Sequence, residues 1–357
     1  MATSAPPTSL PAAVPMTMPM HTLSLQGMHP GNFALVMATG ILSMGFRTLG
    51  ITALADMLAV LAVLFWFLLL GLSALRLLRH PAAVRVDLLN PRMVFAYFTL
   101  VAATSIVGLL LHQAGHHTLA IACWAMAFTA WCLLLYLAFS VLTFLTHESN
   151  VNIVHGGWLI AIVGTQSLVL LGARIAPDLG PGAVYMMVEV YMLWGLGLCF
   201  YGIFVTLFCY RIFFLTLKPP DASPLLWVVM GAAAISANAG TTLITEDARL
   251  PFLAAQRPFI DGVTLMLWAW ATWWIPMLCI FGFWKHVANR MPLHYEPVMW
   301  SGVFPLGMYA VASARLGLAA DFPPLQWISQ GMIWVALAAW GLALGLLARR
   351  GLVAPAG

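Results

Sequence analysis

The sequence predicts an all-α polytopic membrane protein with ten transmembrane helices. Of its 357 residues, 62% are hydrophobic and only 7% are charged, whereas an ordinary soluble domain is roughly 45–50% apolar and about 25% charged. The apolar residues fall into runs close to the roughly 20 residues that a helix needs to cross a bilayer. So few charged side chains could not cover a water-exposed surface, and the composition therefore excludes a soluble globular protein.

Helix breakers divide the apolar residues into ten spans. The first member of each successive pair begins 60 to 73 residues after the previous one, and this spacing predicts five helical hairpins. Four of these first helices begin beside a proline, which lacks an amide hydrogen that a helix start leaves unpaired anyway; the third begins at His155-Gly156-Gly157. In chain order the spans are 31–48, 53–75, 91–111, 118–144, 152–172, 184–212, 224–244, 259–285, 297–317 and 324–347.

The sequence divides into one membrane domain, 29–350, and two tails. Residues 1–28 lack the basic and apolar regions of a signal peptide and are predicted to be a disordered tail, and 351–357 form a short C-terminal tail. If the N-terminus is inside, ten Lys and Arg residues lie on the cytoplasmic side and five on the other. Because cationic loops tend to stay in the cytoplasm, both termini are predicted to be cytoplasmic, in a lipid-embedded protein of the plasma (inner) membrane.

The odd-numbered spans are about twice as polar as the even-numbered ones. Ser, Thr, Asn, Gln and His account for 18 of 102 residues in the odd spans and 11 of 130 in the even spans. Because polar side chains in a membrane tend to face protein or water, the odd helices are predicted to form an inner pore ring and the even helices an outer ring. Two interpretations stay open: tight packing through small residues such as Gly40, Gly45, Gly164 and Gly240, or a polar conduit.

The ninth span contains a candidate gate. Ser301, Phe304, Pro305 and Met308 share one helical face, and Pro305 predicts a kink about one turn before it. A phenyl ring at such a kink in an inner helix could plug a narrow conduit. The alternative is that Phe304, one of 20 phenylalanines, simply packs in the core.

Uncharged polar side chains on the odd spans are the candidate anion path. They could replace part of the hydration shell of an anion, whereas a buried Arg would hold it, and no Lys or Arg stands in the middle of an odd span. The alternative is hydrogen bonding between helices, which is common for such residues in membranes. The candidates are Thr39, Ser43, Thr165, Gln166, Ser236, Asn238, Thr241, Ser301 and Pro305.

Few other motifs suggest chemistry. Glu189 is the one acid well inside an apolar run, so it is a candidate for proton coupling. A position near the interface, paired with Arg174 or capped by water, is an equal alternative. His112, His116 and His117 lie in a short external connection with no acid or cysteine beside them in sequence, which favours a solvated turn over a metal site. We find no enzyme motif and no basic run typical of nucleic-acid binding, and predict no metal, cofactor or nucleic-acid partner.

Five stretches together resemble the tellurite-resistance/dicarboxylate transporter family, which includes malate permeases, sulfite efflux pumps and plant slow anion channels. The resemblance implies ten helices in five hairpins, a pore within each protomer lined by the odd helices, and a homotrimer. It also implies that a phenylalanine of the ninth helix occludes the pore, at the position of Phe304. The stretches are HPGNFALVMATGILS (29–43), GGWLIAIVGTQSLVLLG (156–172), LLWVVMGAAAISANAGTTLI (225–244), WAWATWWIPMLCIFGFWKHV (268–287) and WSGVFPLGMYAVASARL (300–316).

The resemblance implies transport of small anions across the membrane. C4-dicarboxylate, a malate-like ion, is the first expectation by the weight of the family, and a monovalent-anion channel or a sulfite or tellurite-related exporter is the alternative. A membrane scaffold or redox subunit without transport activity is a third class, which anion-dependent current and haem absorbance would distinguish.

Overall fold

A computed structural model describes residues 24–145 and 154–353. This part of the chain is almost entirely helical and contains no strand. The ten longer helices, with the 3₁₀ turns that lead into five of them, lie within about six residues of the ten predicted spans. Residue 152, where the fifth span was predicted to begin, falls outside the described residues. The α-helices are α1 (Ala34–Thr48), α2 (Thr52–Arg79), α3 (Pro81–Leu88), α4 (Phe98–Gln113), α5 (His117–Ser140), α6 (Ile160–Ile175), α7 (Ala183–Phe214), α8 (Val228–Thr245), α9 (Pro251–Ala254), α10 (Arg257–Phe283), α11 (Trp300–Ala319) and α12 (Pro323–Val353).

Eight helical segments of the described chain are long and apolar enough to cross a membrane. One of them, Gly156–Phe214, runs through both α6 and α7. Helix α1, which has 15 residues, is not among the eight.

Of the ten longer helices, five are buried and five expose one face to their surroundings. In the most apolar stretch of each segment, 94% of residues are buried for α8 and 83% for α4, against 22% for α2 and 17% for α12. The inner helices α1, α4, α6, α8 and α11 contact one another in that order, and α11 returns to α1, so they form a closed ring. The outer helices α2, α5, α7, α10 and α12 pack around it.

A 3₁₀ turn leads into each inner helix. The five turns also contact one another in a closed ring, so all five inner helices begin at the same end of the molecule, here named the 3₁₀ end. Three turns begin with proline, which suits the first position of a helix. The turns are Pro30–Phe33, Val94–Tyr97, Gly156–Leu159, Pro224–Trp227 and Pro297–Met299.

At least one tryptophan on each outer helix bonds to the inner ring, and α5 has a second, Trp124, which donates to the Leu168 carbonyl at 3.1 Å. In each case the indole N–H donates a hydrogen bond to an inner helix, because an indole N–H buried in an apolar layer needs an acceptor. Each bond reaches the inner helix of the next hairpin along the chain, and α12 returns to α1. The other five bonds are Trp66 to Thr104 Oγ1 (3.1 Å), Trp131 to Thr165 Oγ1 (2.8 Å), Trp194 to the Ser236 carbonyl (3.1 Å), Trp268 to Ser313 Oγ (2.9 Å) and Trp340 to Thr39 Oγ1 (3.0 Å).

Glycines allow close contact inside the inner ring. A Cβ atom on Gly231 of α8 would lie 2.7 Å from Cγ of Pro305, and one on Gly307 of α11 would lie 2.7 Å from Cγ2 of Ile41. Both distances are shorter than van der Waals contact, so a larger residue would push α11 away from α8 or α1. Helix α11 passes through Pro305 as a single helix.

The folded domain begins before the predicted boundary at residue 29. The guanidinium of Arg76 donates to the carbonyl of Gln26 at 2.9 and 3.1 Å and pairs with Asp87 at 2.7 Å. The carbonyl of Gln26 thus contacts α2, although none of residues 24–28 is buried, and residues 1–23 of the predicted tail lie outside the described residues. At the other terminus α12 extends to Val353, three residues past the predicted limit of the membrane domain.

Candidate functional site

A single face of α11 carries the candidate site. Ser301, Phe304, Met308 and Arg315 are spaced by three, four and seven residues, so they share one side of the helix. The line covers about 21 Å along the helix axis, at 1.5 Å per residue. It begins at the 3₁₀ end with Ser301, and Arg315 lies near the opposite end.

Phe304 occupies the middle of this face. Its side chain is buried, and no other aromatic ring stacks on it within the described residues. Phe95, in contrast, stacks on both Phe98 and Trp158. Phe304 is thus a buried ring that does not belong to an aromatic cluster, in the position where the resemblance placed a gate.

The C-terminal end of the inner helices is here named the wide end. A cavity lies there, and it is larger than the cavity at the 3₁₀ end. It measures about 240 Å³ and is lined by Thr241, Thr245, Arg315, Leu318 and Ala319. Thr241 and Thr245 are one turn apart on α8, so both hydroxyl groups belong to the same face of that helix. The cavity therefore combines a guanidinium with two hydroxyl groups.

Arg315 reaches from the wide end back into the ring. Its Nη1 donates to Oδ1 of Asn238 at 3.0 Å, and Nδ2 of Asn238 lies 3.5 Å from the sulfur of Met308. Asn238 stands seven residues before the end of α8, about 10 Å along the axis. Arg315 stands near the end of the ninth span, as the sequence shows, but its long side chain carries the charge inward to Asn238.

The cavity at the 3₁₀ end is much smaller. It measures about 30 Å³, enough for about one water molecule. Like the wide end it is lined by one arginine, here beside two histidines and the Ser301 hydroxyl. The polar lining residues are His29, Arg92, His155 and Ser301.

The two histidines cap the turns they precede. Nδ1 of His29 accepts from the Gly31 amide at 2.9 Å, and Nδ1 of His155 accepts from the Gly157 amide at 3.0 Å. Nε2 of His155 then donates to the Arg92 carbonyl at 3.1 Å, which assigns a neutral ring with its proton on Nε2. Burial lowers the pKa of His155 to about 4, so this ring remains neutral at physiological pH.

Several predicted path residues point toward outer helices instead. Thr39 and Thr165 accept the tryptophan bonds described above, and the Ser43 hydroxyl donates to the Ala55 carbonyl of α2 at 2.7 Å. Nε2 of Gln166 donates to the Trp194 carbonyl of α7 at 3.3 Å. The Ser236 hydroxyl bonds within its own helix, to Ala232. The bonds to outer helices favour the packing alternative for four of the nine candidates, whereas the Ser236 bond, like that of Thr241 to Ala237, favours neither alternative.

Glu189 lies away from the inner ring. It is half-buried on the outer helix α7. Arg174, the partner considered from sequence, instead forms an ion pair with Glu246 at 3.1 Å. Arg174 is therefore not the ion-pair partner of Glu189.

Together the fold and the site define a helical membrane protein with a closed inner ring and polar cavities at both ends. The chain belongs to the voltage-dependent anion channel family, whose profile matches residues 27–348. This match confirms the family resemblance expected from the five stretches. The family is one of anion channels, and some relatives are named as transporters or efflux pumps.

Three relatives illustrate the range of the family. An uncharacterized transporter of Methanocaldococcus jannaschii is 24% identical over 325 residues, 88% of this chain and 91% of the relative. The sulfite efflux pump of Arthroderma benhamiae is 23% identical over 350 residues, 91% of each protein. An uncharacterized membrane protein of Mycobacterium tuberculosis is 44% identical over 130 residues, which span 36% of this chain and 66% of that protein.

Proposed function

We propose that the protein conducts small anions along the axis of the inner ring and that Phe304 closes the path. The observation that carries the proposal is the line of residues on α11, which joins the two cavities and passes through the buried Phe304 ring. The small cavity at the 3₁₀ end and the ring of Phe304 beyond it support the proposal that the path is closed in this structure.

The wide end supplies the attraction for an anion. A positive charge in a cleft with low-dielectric walls raises the local concentration of anions, and Arg315 provides that charge. Asn238 and Thr241 then offer uncharged groups deeper in the ring. Binding must be weak enough for an ion to leave, so a cation at the entrance with neutral groups beyond it suits passage better than a cation at the constriction.

A small inorganic oxyanion such as sulfite is our first choice of substrate, and a C4-dicarboxylate is the second. This order reverses the sequence expectation, because the relatives whose names state a substrate are sulfite efflux pumps. A monovalent anion such as chloride or nitrate would use the same path. Arg315 is one positive charge, which matches a small anion more closely than two separated carboxylates.

We further propose ten membrane crossings in five hairpins, with both termini in the cytoplasm of a bacterial-type cell and one pore in each protomer of a homotrimer. In this arrangement α1 crosses together with its 3₁₀ turn, and the 3₁₀ end faces the cytoplasm. Cysteine labelling at introduced sites near Arg85 and near His116 tests the orientation. Labelling from outside near Arg85, but not near His116, would reverse it.

Reconstitution tests the function directly. The purified chain in liposomes should carry chloride, nitrate and sulfite down their gradients, with malate slower, and empty liposomes provide the baseline. A pH gradient that drives uptake in the wild type but not in Glu189→Gln would support proton coupling at Glu189. The proposal would be refuted if neither the wild type nor Phe304→Ala carried any of the four anions faster than empty liposomes.

A further inference from the structure

Two connections at the wide end bring three potential metal ligands together. His112 ends α4, His117 begins α5, and Asp178 lies in the 3₁₀ turn Ala176–Gly182 between α6 and α7. Nε2 of His112 lies 2.8 Å from Oδ2 of Asp178, and Nδ1 of His117 lies 3.1 Å from both of these atoms. The sequence interpretation found no acid beside these histidines because Asp178 is 61 and 66 residues away along the chain.

The local backbone explains how the two histidines meet. Gly115 has a φ of +85°, a conformation that favours glycine, and the His116 amide bonds back to the Leu111 carbonyl at 2.9 Å. This tight turn places the His112 and His117 rings edge to face, with centroids 4.5 Å apart. His116 stands in the same turn but takes no part in the cluster and is exposed.

The three ligand atoms are spaced as a metal site requires. The point equidistant from all three is about 1.7 Å from each, so a zinc ion at its usual bond lengths of about 2.0–2.1 Å would sit about 1 Å out of their plane. The side chains are 15%, 49% and 24% exposed for His112, His117 and Asp178, so this face is open to solvent. A water molecule or another small ligand could fill a fourth, tetrahedral position.

We propose that His112, His117 and Asp178 form a binding site for a first-row transition dication such as zinc. Two imidazole nitrogens and one carboxylate oxygen suit zinc, copper(II), nickel or cobalt, whereas calcium and magnesium prefer oxygen ligands. A bound ion would link the α4–α5 connection to the α6–α7 connection, and so brace two neighbouring hairpins at the wide end. The proposal does not depend on anion transport.

Metal binding to the tag-free, full-length protein in detergent tests the proposal. After treatment with a chelator, the wild type should bind one zinc ion per chain in equilibrium dialysis, and excess magnesium or calcium should not displace it. Cobalt(II) should give the intense visible absorption of a four-coordinate site. His112→Ala, His117→Ala and Asp178→Asn should each weaken zinc binding by at least about tenfold.

His116→Ala is the matched control, because it removes a neighbouring exposed histidine from the same turn and should leave the affinity unchanged. Zinc should also raise the melting temperature of the wild type and of His116→Ala, but not of a His112→Ala/His117→Ala double variant. The metal-free melting temperature and the elution profile show whether each variant is folded. Absence of zinc binding by the folded wild type, or equal binding by the double variant, would overturn the proposal and leave a hydrogen-bonded surface cluster.

Discussion

The polar groups of the inner helices fall into two regions with different partners. At the boundary between the rings, Thr39, Thr165 and Ser313 accept indole hydrogen bonds from outer helices. On the facing sides of α8 and α11, Asn238 and Arg315 bond to each other and lead into an open cavity. Polarity on an inner helix thus has two kinds of partner, and we propose that the second group lies on the ion path.

The two regions should also respond differently to mutation. A boundary residue contributes to stability through one hydrogen bond between helices, and its loss should leave flux per folded protein unchanged. A residue of the α8–α11 face should change flux at constant folding. The following substitutions test this division.

Arg315→Gln should have the largest effect. It removes the positive charge at the wide end while keeping a long polar side chain, and we expect anion flux to fall by about tenfold or more, with a weaker dependence on ionic strength. Liposome flux at low and high salt measures both effects. Arg174→Gln is the control, since Arg174 is at the same end but pairs with Glu246; an equal loss there would show that general surface charge matters rather than the path.

Asn238→Leu and Gln166→Met form a matched pair of amide replacements, both at fully buried positions. The first removes the partner of Arg315 and should change flux or anion selectivity several-fold. The second should leave flux unchanged, because the Gln166 amide faces α7 and its Oε1 atom has no hydrogen-bond partner in the described structure. Comparable changes in both variants would remove the distinction between the two regions.

Trp131→Phe should have the smallest effect, confined to stability. It deletes one indole bond to Thr165 and should lower the free energy of unfolding by about 1 kcal/mol, within the range of hydrogen bonds between membrane helices. A double-mutant cycle with Thr165→Val measures the coupling directly. A coupling energy near zero, or a change in flux, would mean that the indole bonds between the outer and inner helices do not hold the two rings together as described.

Much of the fold follows from the sequence because hydrophobic length and proline position are local signals. The ten apolar runs correspond to the ten longer helices, and the twofold difference in polarity separates the buried helices from the outer ones. The face of Ser301, Phe304 and Met308 is likewise visible from residue spacing alone. Polar content therefore identifies which helices are buried, and residue spacing identifies which side chains share a face.

The partners of these side chains cannot be read from spacing. Counting Thr39, Thr165 and Gln166 as polar residues of inner helices does not reveal that each bonds to an outer helix. Arg315 stands near the end of its helix, and only the structure shows its guanidinium at Asn238. Asp178 belongs to another hairpin than His112 and His117. In each case the contact depends on the direction of a long side chain or on the meeting of distant segments.

The central claim is that the ion path runs along the inner ring and is closed by Phe304. Phe304→Ala, compared with Phe98→Ala, tests it most directly. Both rings are buried in inner helices, but Phe98 stacks on Phe95, so its truncation should leave only a cavity that costs about 3–5 kcal/mol by analogy with soluble cores.

The measurement is anion conductance per folded protein in planar bilayers or liposomes, with wild type, Phe304→Ala and Phe98→Ala at matched protein levels. If Phe304 is the gate, Phe304→Ala raises conductance well above wild type while the elution profile stays intact, and Phe98→Ala lowers yield without raising conductance. Reduced yield of Phe304→Ala with unchanged or lower conductance per folded protein would show that Phe304 is a core residue and would contradict the proposed path.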